Sequence, residues 1–209
     1  MKEKDYIIRL EKETEHKQTE NLVRESFWNV YRPGCTEHYV LHCMRGKEGF
    51  VKELDFVMEK DGELIGQVVY YRAKAATEKG DLDVLTFGPI CIAPKYKRQG
   101  YGKILLDYSV EEAAKLGAGA LFTEGNIDFY GKSGFRPAKE IGITYKDDPD
   151  ADYFIYKELK KGFLDGVTGT YSDPEVYFSA VLNPEAFEEY DKGFPKKEKK
   201  ADETQIFGE

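Results

Sequence analysis

The chain has 209 residues, of which 41% are hydrophobic and 14% aromatic, a composition that excludes a disordered chain and favours one globular domain with at most a small appendage. No stretch approaches the roughly 20 uninterrupted apolar residues of a membrane span, and the N-terminus has no long apolar run typical of a signal peptide. A net charge of −8 argues against an extended nucleic-acid surface, and three cysteines, an odd number, are typical of free thiols in a cytoplasmic protein.

The first 50 residues carry one strand signal followed by two helix signals. Apolar residues alternate over positions 6–10, which predicts a strand. Positions 22–30 then follow helical spacing, and after Pro33-Gly34 breaks the chain, residues 36–44 form a second short helix.

A β-hairpin and a long strand are predicted next. Two runs rich in strand-forming residues, 54–60 and 64–71, flank Asp61-Gly62, a dipeptide typical of a tight hairpin turn. The apolar run 82–92 predicts a further strand, and Gly88-Pro89 inside it indicates a bulge or an opened edge.

The clearest helix of the chain covers residues 102–116, where small and apolar residues recur at spacings of three and four, and it ends at Gly117. A short strand over 118–123, a helical turn over 127–132 and a last strand over 153–159 follow. This order predicts an α/β (α+β) fold with a mixed central sheet flanked by helices.

The composition changes after residue 161, first to a glycine-rich and then to an aromatic segment. We predict a main domain over residues 1–161, an accessory C-terminal element over 162–192 and a flexible tail over 193–209.

A short cationic loop precedes the long helix. Residues 95–103 carry four positive charges and no negative one. Gly100 and Gly102 let a ligand approach the backbone, and the free N–H groups and dipole of the first helical turn favour a phosphate. The pattern predicts a cradle for a compact anion; a solvated charge run and a simple glycine turn are the alternatives. Three side chains add charge to the cradle, those of Lys97, Arg98 and Lys103.

Two other phosphate-binding motifs fail on spacing. A dinucleotide fingerprint that begins at Gly100 would need a third glycine where Leu105 stands. Residues 125–133 have five residues between their glycines, whereas a P-loop has four, so the lysine that follows is out of register with the phosphates.

Two segments carry a resemblance to a known family. Residues 97–102, Lys-Arg-Gln-Gly-Tyr-Gly, are similar to the loop pattern Gln/Arg-x-x-Gly-x-Gly/Ala, with lysine in place of the usual first residue. Residues 126–135 contain Asn126, Tyr130 and a Gly-Phe pair in the order Asn-x-x-x-Tyr-x-x-x-Gly-Phe. The sequence thereby resembles the GCN5-related N-acetyltransferases (the GNAT family). Within that family, the small bacterial branch of predicted acetyltransferases is one candidate for the branch that it resembles.

The resemblance implies an acyl-CoA N-acyltransferase fold, whose mostly antiparallel sheet is splayed at the strand that binds the cofactor. Backbone amides of the loop would hold the pyrophosphate of acetyl-CoA, the strand over residues 90–92 would pair with the pantetheine arm, and Asn126 would contact pantetheine. The predicted cofactor-binding residues are Ile90, Cys91, Ile92, Lys97, Arg98, Gln99, Gly100, Tyr101, Gly102, Lys103 and Asn126.

Tyr130 is the predicted general acid, because the resemblance directs its hydroxyl at the thioester sulfur and a phenol can protonate a departing thiolate of pKa about 8.5. The alternative is one more core aromatic among 15 tyrosines. An amine must also lose a proton before it attacks, and Glu124 or Asp83 could accept it. Cys91 is disfavoured as a nucleophile because no histidine is near it in sequence.

A cluster of potential zinc ligands offers a competing interpretation. His38 and His42 stand four residues apart on one face of the predicted second helix, near Cys35 and Cys43. Cys43 faces another direction than His42, which disfavours closure around a metal. We therefore expect no metal and a helix that lines the acceptor cleft.

These observations predict an acetyl-CoA-dependent N-acetyltransferase that acts on a primary amine by direct attack in a ternary complex. A non-catalytic acyl-CoA-binding sensor is the alternative. We expect acetyl-CoA as co-substrate, a small amine or an exposed amino group as acceptor, and neither nucleic acid nor membrane as partner, with a homodimer as the assembly to test. The sequence leaves the acceptor open, because its contacts would come from residues 31–53 and the C-terminal element.

Overall fold

The computed structural model describes residues 5–203 and 205. Within that part of the chain, nine strands form one sheet in the order β1-β2-β3-β4-β5-β8-β6, with β9 paired to β3 and β7 paired to β9. The strands are β1 Ile7–Leu10, β2 Phe56–Lys60, β3 Glu63–Thr77, β4 Gly80–Ile92, β5 Ala120–Glu124, β6 Arg136–Pro137, β7 Ile143–Tyr145, β8 Phe154–Glu158 and β9 Gly169–Tyr171. The helices are α1 His16–Phe27, α2 Glu37–Met44, α3 Tyr101–Lys115, α4 Ile127–Tyr130, α5 Ser179–Leu182 and α6 Pro184–Asp191.

The sheet is mixed and mostly antiparallel, as predicted. Only the pairs β4–β5 and β7–β9 are parallel among the strand pairs of the described chain. The predicted hairpin joins β2 to β3, and both of its turn residues, Asp61 and Gly62, have the positive φ angles (51° and 78°) that this turn requires. β3 continues to Thr77, six residues beyond the predicted end, because its far half pairs with the start of β4.

β4 and β5 separate after a short contact. They pair only at Leu85↔Leu121 and Thr86↔Phe122, although β4 runs on to Ile92. At Gly88-Pro89 the peptide bond is cis, and the register with β3 shifts there. Beyond this point one edge of β4 still pairs with β3, while no strand of residues 5–203 pairs with the other edge. The prediction of a sheet splayed at residues 90–92 is therefore confirmed.

Helices cover both faces of the sheet. α3 packs its apolar stripe against one face, where Leu105 and Leu106 meet Leu85 and Phe87 in one buried cluster. α1 and α2 cover the opposite face, where Val23 and other residues pack around Cys91. The side chains of successive residues in a strand point to alternate faces of the sheet. The position of a residue along β4 or β5 therefore decides on which face its side chain lies.

The described part of the C-terminal segment packs on the face of α1 and α2. β9 pairs with the end of β3, and Val176 enters the core under α2. Beyond α6, the Pro195 carbonyl accepts a hydrogen bond from Arg24, and the Glu198 carbonyl accepts one from the Trp28 indole at 2.9 Å. The division at residues 161 and 192 stays a prediction, and residues 204 and 206–209 of the predicted tail lie outside the described residues.

In the described chain no helix combines the length and the apolar character that crossing a membrane requires.

Candidate active site

The N-terminus of α3 lies beside the open edge of β4. The turn before the helix uses two residues with positive φ, Arg98 at 63° and Gly100 at 91°, and only glycine adopts the second angle without steric cost. The first N–H groups of α3 have no intrahelical acceptors, so they face outward at the positive end of the helix dipole. The local sequence thus gives the start of α3 the backbone geometry that the predicted anion cradle requires.

A cleft of about 740 Å³ connects this helix end with β4 and α4. Ten of the thirteen predicted site residues line it: Ile90, Cys91, Ile92, Lys97, Arg98, Gly100, Gly102, Lys103, Asn126 and Tyr130. The sequence analysis missed five further lining residues, Tyr31, Tyr96, Asp128, Phe129 and Lys132. Phe129 and Lys132 lie inside the quoted Asn-Tyr-Gly-Phe segment, a signal that could have found them, whereas Tyr31 reaches the cleft only through tertiary packing.

Two predicted residues turn their side chains away from the cleft. The Gln99 amide donates to the Lys95 carbonyl at 3.0 Å, which closes the loop on itself. The Tyr101 ring is buried against Tyr6, and its hydroxyl donates to Asp5 at 3.1 Å. Both residues can therefore serve the cradle only through their backbone amides.

The three cations of the loop differ in their surroundings. Lys97 donates its ammonium to the Ser26 carbonyl at 2.8 Å, and burial there lowers the pKa of this lysine. Lys103 forms an ion pair with Asp107 one turn along α3. Arg98 is exposed at the rim of the cleft.

Tyr130 lies at the end of α4, half-buried against the face that α3 covers. Its ring packs on Phe87 and Phe135 at centroid distances of 5.9 and 5.7 Å, and burial raises the pKa of the phenol, which therefore stays protonated through neutral pH. A Cβ at Gly125 would stand 2.2 Å from this ring, so only glycine leaves room for it. Asn126 caps α4, because its side-chain oxygen accepts from the Asp128 N–H at 2.8 Å, and its amide nitrogen remains to donate to a ligand.

Glu124 does not line this cleft and stands on the opposite face of the sheet. It follows Phe122 by two residues on β5, and Phe122 packs away from α3. Partial desolvation and the negative charge of neighbouring Asp173 raise the pKa of Glu124 to about 7. Asp83, the other proposed base, is exposed near the β3–β4 hairpin, where its partner across the ladder is Lys74.

The cysteines and histidines do not converge on one point. His38 contacts the Cys35 sulfur at 3.5 Å through Nδ1 and Asp191 at 3.0 Å through Nε2, whereas His42 contacts Glu20 on α1. Within the described residues no group of three or more potential ligands could hold a metal ion. Cys91 is buried, and burial raises the pKa of its thiol to about 11, which leaves the thiolate rare at neutral pH.

A splayed mixed sheet with a Gly-x-Gly helix start at its opening is the architecture of acyl-CoA N-acyltransferases. The chain matches the model of the Acetyltransferase (GNAT) family over residues 20–135, more than half of its length, and it belongs to that family. This confirms the resemblance found in the sequence.

Several relatives are similar to this chain. YhbS of Escherichia coli K12, an uncharacterized N-acetyltransferase, is 24% identical over 163 residues, which cover 78% of this chain and 93% of YhbS. YjhQ of the same organism is 26% identical over 87 residues, and the match spans 40% of this chain but only 46% of YjhQ. The crystal structure of E. coli YhbS in complex with CoA has a TM-score of 0.72 at 25% identity and covers 83% of this chain and 92% of that one. A Brucella melitensis GNAT acetyltransferase in complex with acetyl-CoA shares the fold at a TM-score of 0.65 and 17% identity, over 82% of this chain and 97% of that one.

Proposed function

We propose that this protein transfers the acetyl group of acetyl-CoA to a primary amine by direct attack in a ternary complex. One observation carries the proposal: the sheet opens between β4 and β5, with the Tyr130 phenol on the α3 face of the opening and the Glu124 carboxyl on the other. The two substrates would then reach the opening from opposite faces.

The residues present suit acetyl-CoA. The free N–H groups at the start of α3 would hold the pyrophosphate, and cationic side chains at Arg98, Lys103 and Lys132 line the same cleft. Over residues 90–92, the edge of β4 with which no described strand pairs would accept an extended amide chain as an added strand. Gly102 leaves the space between Ile92 and Phe129 open, since a Cβ there would lie 3.7 and 3.6 Å from their side chains.

Proton transfer would use the groups on the two faces. Glu124, with a pKa near 7, would take a proton from the incoming ammonium, and Tyr130 would donate to the sulfur as the C–S bond breaks. The buried thiol of Cys91 supports direct transfer rather than an acyl-enzyme.

Compartment and partners stay predictions. The three cysteines are unpaired, which supports the proposed cytoplasmic location, and the acidic net charge of −8 supports the proposal that nucleic acid is not a partner. We also propose that the protein uses no metal, that its acceptor is a small amine or an exposed amino group, and that it assembles as a homodimer.

The experiment that tests the function is a screen of amine acceptors, read by the release of free thiol from acetyl-CoA. We expect at least one primary amine to release thiol above the rate of acetyl-CoA hydrolysis. If acetyl-CoA binds and no amine raises thiol release, the protein is a non-catalytic acyl-CoA sensor and the proposed transfer is wrong.

Gly102→Val should weaken acetyl-CoA binding about tenfold or more, because the branched side chain would enter the space between Ile92 and Phe129 in front of the helix N-terminus. Calorimetric titration with acetyl-CoA measures the effect. Gly46→Val is the matched control, since Gly46 lies in a turn after α2 and a Cβ there meets only the Cys43 carbonyl at 4.0 Å. If the folded Gly102→Val protein binds acetyl-CoA with the same affinity as the wild type, the helix start does not hold the pyrophosphate and the predicted anion cradle is wrong.

A further inference from the structure

A second polar cluster lies beyond Glu124, on the face of the sheet opposite α3. Its central residue is Asp173, which stands two residues after β9 and accepts a hydrogen bond from the Tyr145 hydroxyl at 2.8 Å. The carboxyls of Asp173 and Glu124 interact directly, and burial raises the pKa of Asp173 as well. Two carboxyls from distant parts of the chain thus stand side by side next to the opening of the sheet.

Tyr171 supplies a separate observation that points to a ligand. Its ring is fully buried and stacks on Phe122 and Phe154 at 5.8 and 4.9 Å. Its hydroxyl forms no hydrogen bond of normal geometry with any described group, although Asp173 and Thr86 are its neighbours. An unsatisfied buried polar group destabilises the folded protein, so a partner that arrives with a ligand would remove this cost.

The cluster is joined to the opening by Tyr177. The Tyr177 hydroxyl donates to the Gly88 carbonyl at 3.2 Å, at the bulge where β4 leaves β5. Asp173 and Glu124 both raise the pKa of Tyr177, after its burial, so both carboxyls lie near the phenol that contacts the bulge. A molecule bound to the carboxyls would therefore lie next to the point where the sheet opens.

The charged groups that act most strongly on Glu124, Asp173 and Tyr177 are carboxylates. Tyr145 comes from β7, Tyr171 from β9 and Tyr177 from the following segment, and Asp147 in the loop after β7 adds negative charge beside Asp173. Tyrosine rings and carboxylates together favour a cation and repel an acceptor that carries its own carboxylate.

We infer that Asp173 and Glu124, with the Tyr171 hydroxyl, form the acceptor site, and that its ligand is a cationic alkyl amine without a carboxylate. This inference rests on the proposed function. In the reaction the ammonium loses one proton to Glu124, and the free amine forms the new N–C bond as the C–S bond breaks. Tyr130 gives a proton to sulfur and regains one from the nitrogen, and Glu124 releases its proton to water, so that the amide, the thiol and one proton are the products.

The test uses three acceptors of equal chain length and different charge: 1,5-diaminopentane, pentylamine and 5-aminopentanoate. In the presence of CoA we expect the wild-type protein to bind 1,5-diaminopentane at least tenfold more tightly than 5-aminopentanoate in calorimetry. Asp173→Asn should abolish this preference, while Asp165→Asn, an exposed residue with the same change of charge, should keep it. Equal binding of the diamine and the amino acid to the wild type, or binding of neither, overturns the inference.

Two further readouts separate ligand binding from a structural role. Tyr171→Phe should weaken diamine binding without lowering the melting temperature, because the lost hydroxyl forms no hydrogen bond of normal geometry with the described residues. With an accepted amine, kcat/KM should fall as the pH drops below about 7, where Glu124 is protonated, and Asp173→Asn should move this fall to lower pH because it removes the neighbouring charge. An unshifted pH profile would show that Asp173 does not act on Glu124.

The outcome for the inference is independent of the outcome for the proposed function. Thiol release with 5-aminopentanoate at the same kcat/KM as with the diamine would uphold acetyl transfer and contradict the cationic acceptor. Selective diamine binding without thiol release would uphold the acceptor site and contradict transfer.

Discussion

Replacing Tyr130 with phenylalanine is expected to lower kcat about a hundredfold and to leave acetyl-CoA binding within twofold of the wild type. The ring keeps its contacts with Phe87, Phe129 and Phe135, so the fold and the cleft persist, and only the proton donor is lost. General acid catalysis typically contributes about 10²- to 10⁴-fold. We expect the lower end, because a thiolate of pKa about 8.5 can leave to some extent without assistance.

Tyr108→Phe is the matched control for this variant. Tyr108 packs against Phe56 at 5.2 Å on the far part of α3 and does not line the cleft. Steady-state kinetics with an accepted amine gives kcat, and calorimetry with acetyl-CoA gives the affinity for the cofactor. A Tyr130→Phe protein with wild-type kcat would show that Tyr130 is a packing residue and that the proton reaches sulfur from another group or from water.

Replacing Asp191 with alanine is expected to destabilise the protein by about 3–5 kcal/mol, the typical cost of leaving a buried charge without its partner. Arg24 on α1 is 1% exposed, and its guanidinium donates to both Asp191 oxygens, at 2.7 and 3.2 Å. Asp191 also contacts buried His38. Burial would raise the pKa of Asp191, but the hydrogen bonds and charge of Arg24 outweigh it and hold this pKa below its usual value. Among the residues that the structure describes, the variant would leave the Arg24 guanidinium with the Pro195 carbonyl as its remaining hydrogen-bond acceptor.

Urea unfolding measures this loss. Glu188→Ala, an exposed carboxylate on the same helix, should change the free energy of unfolding by less than about 0.5 kcal/mol. A loss of under 1 kcal/mol for Asp191→Ala would show that water reaches Arg24 and that α6 is not secured by this pair. The expected loss would show instead that the C-terminal segment stabilises α1 and α2 and behaves as part of the main domain.

Much of the fold could be predicted because its signals are local. The turn at Asp61-Gly62 and the end of α3 at Gly117 depend on φ angles that few other residues adopt, and the structure has positive φ at all three positions. The apolar residues of α3 recur with the period of an α-helix, so they lie on one face, and that face is the one that is buried. The same holds for the turn before α3, since Gly100 and the helix start are neighbours in sequence, and their geometry follows from backbone rules alone.

What only the tertiary structure decided are the contacts between residues far apart in the chain. Asp173 meets Glu124 because β9, three residues long and without a clear strand pattern, pairs with the end of β3 and carries the following segment beside β5. Lys97 donates its ammonium to the Ser26 carbonyl on α1, a partner that no local signal indicates. Sequence periodicity determines which face of an element is buried, whereas the partner of a polar side chain depends on which distant backbone the packed core places within about 3 Å of it.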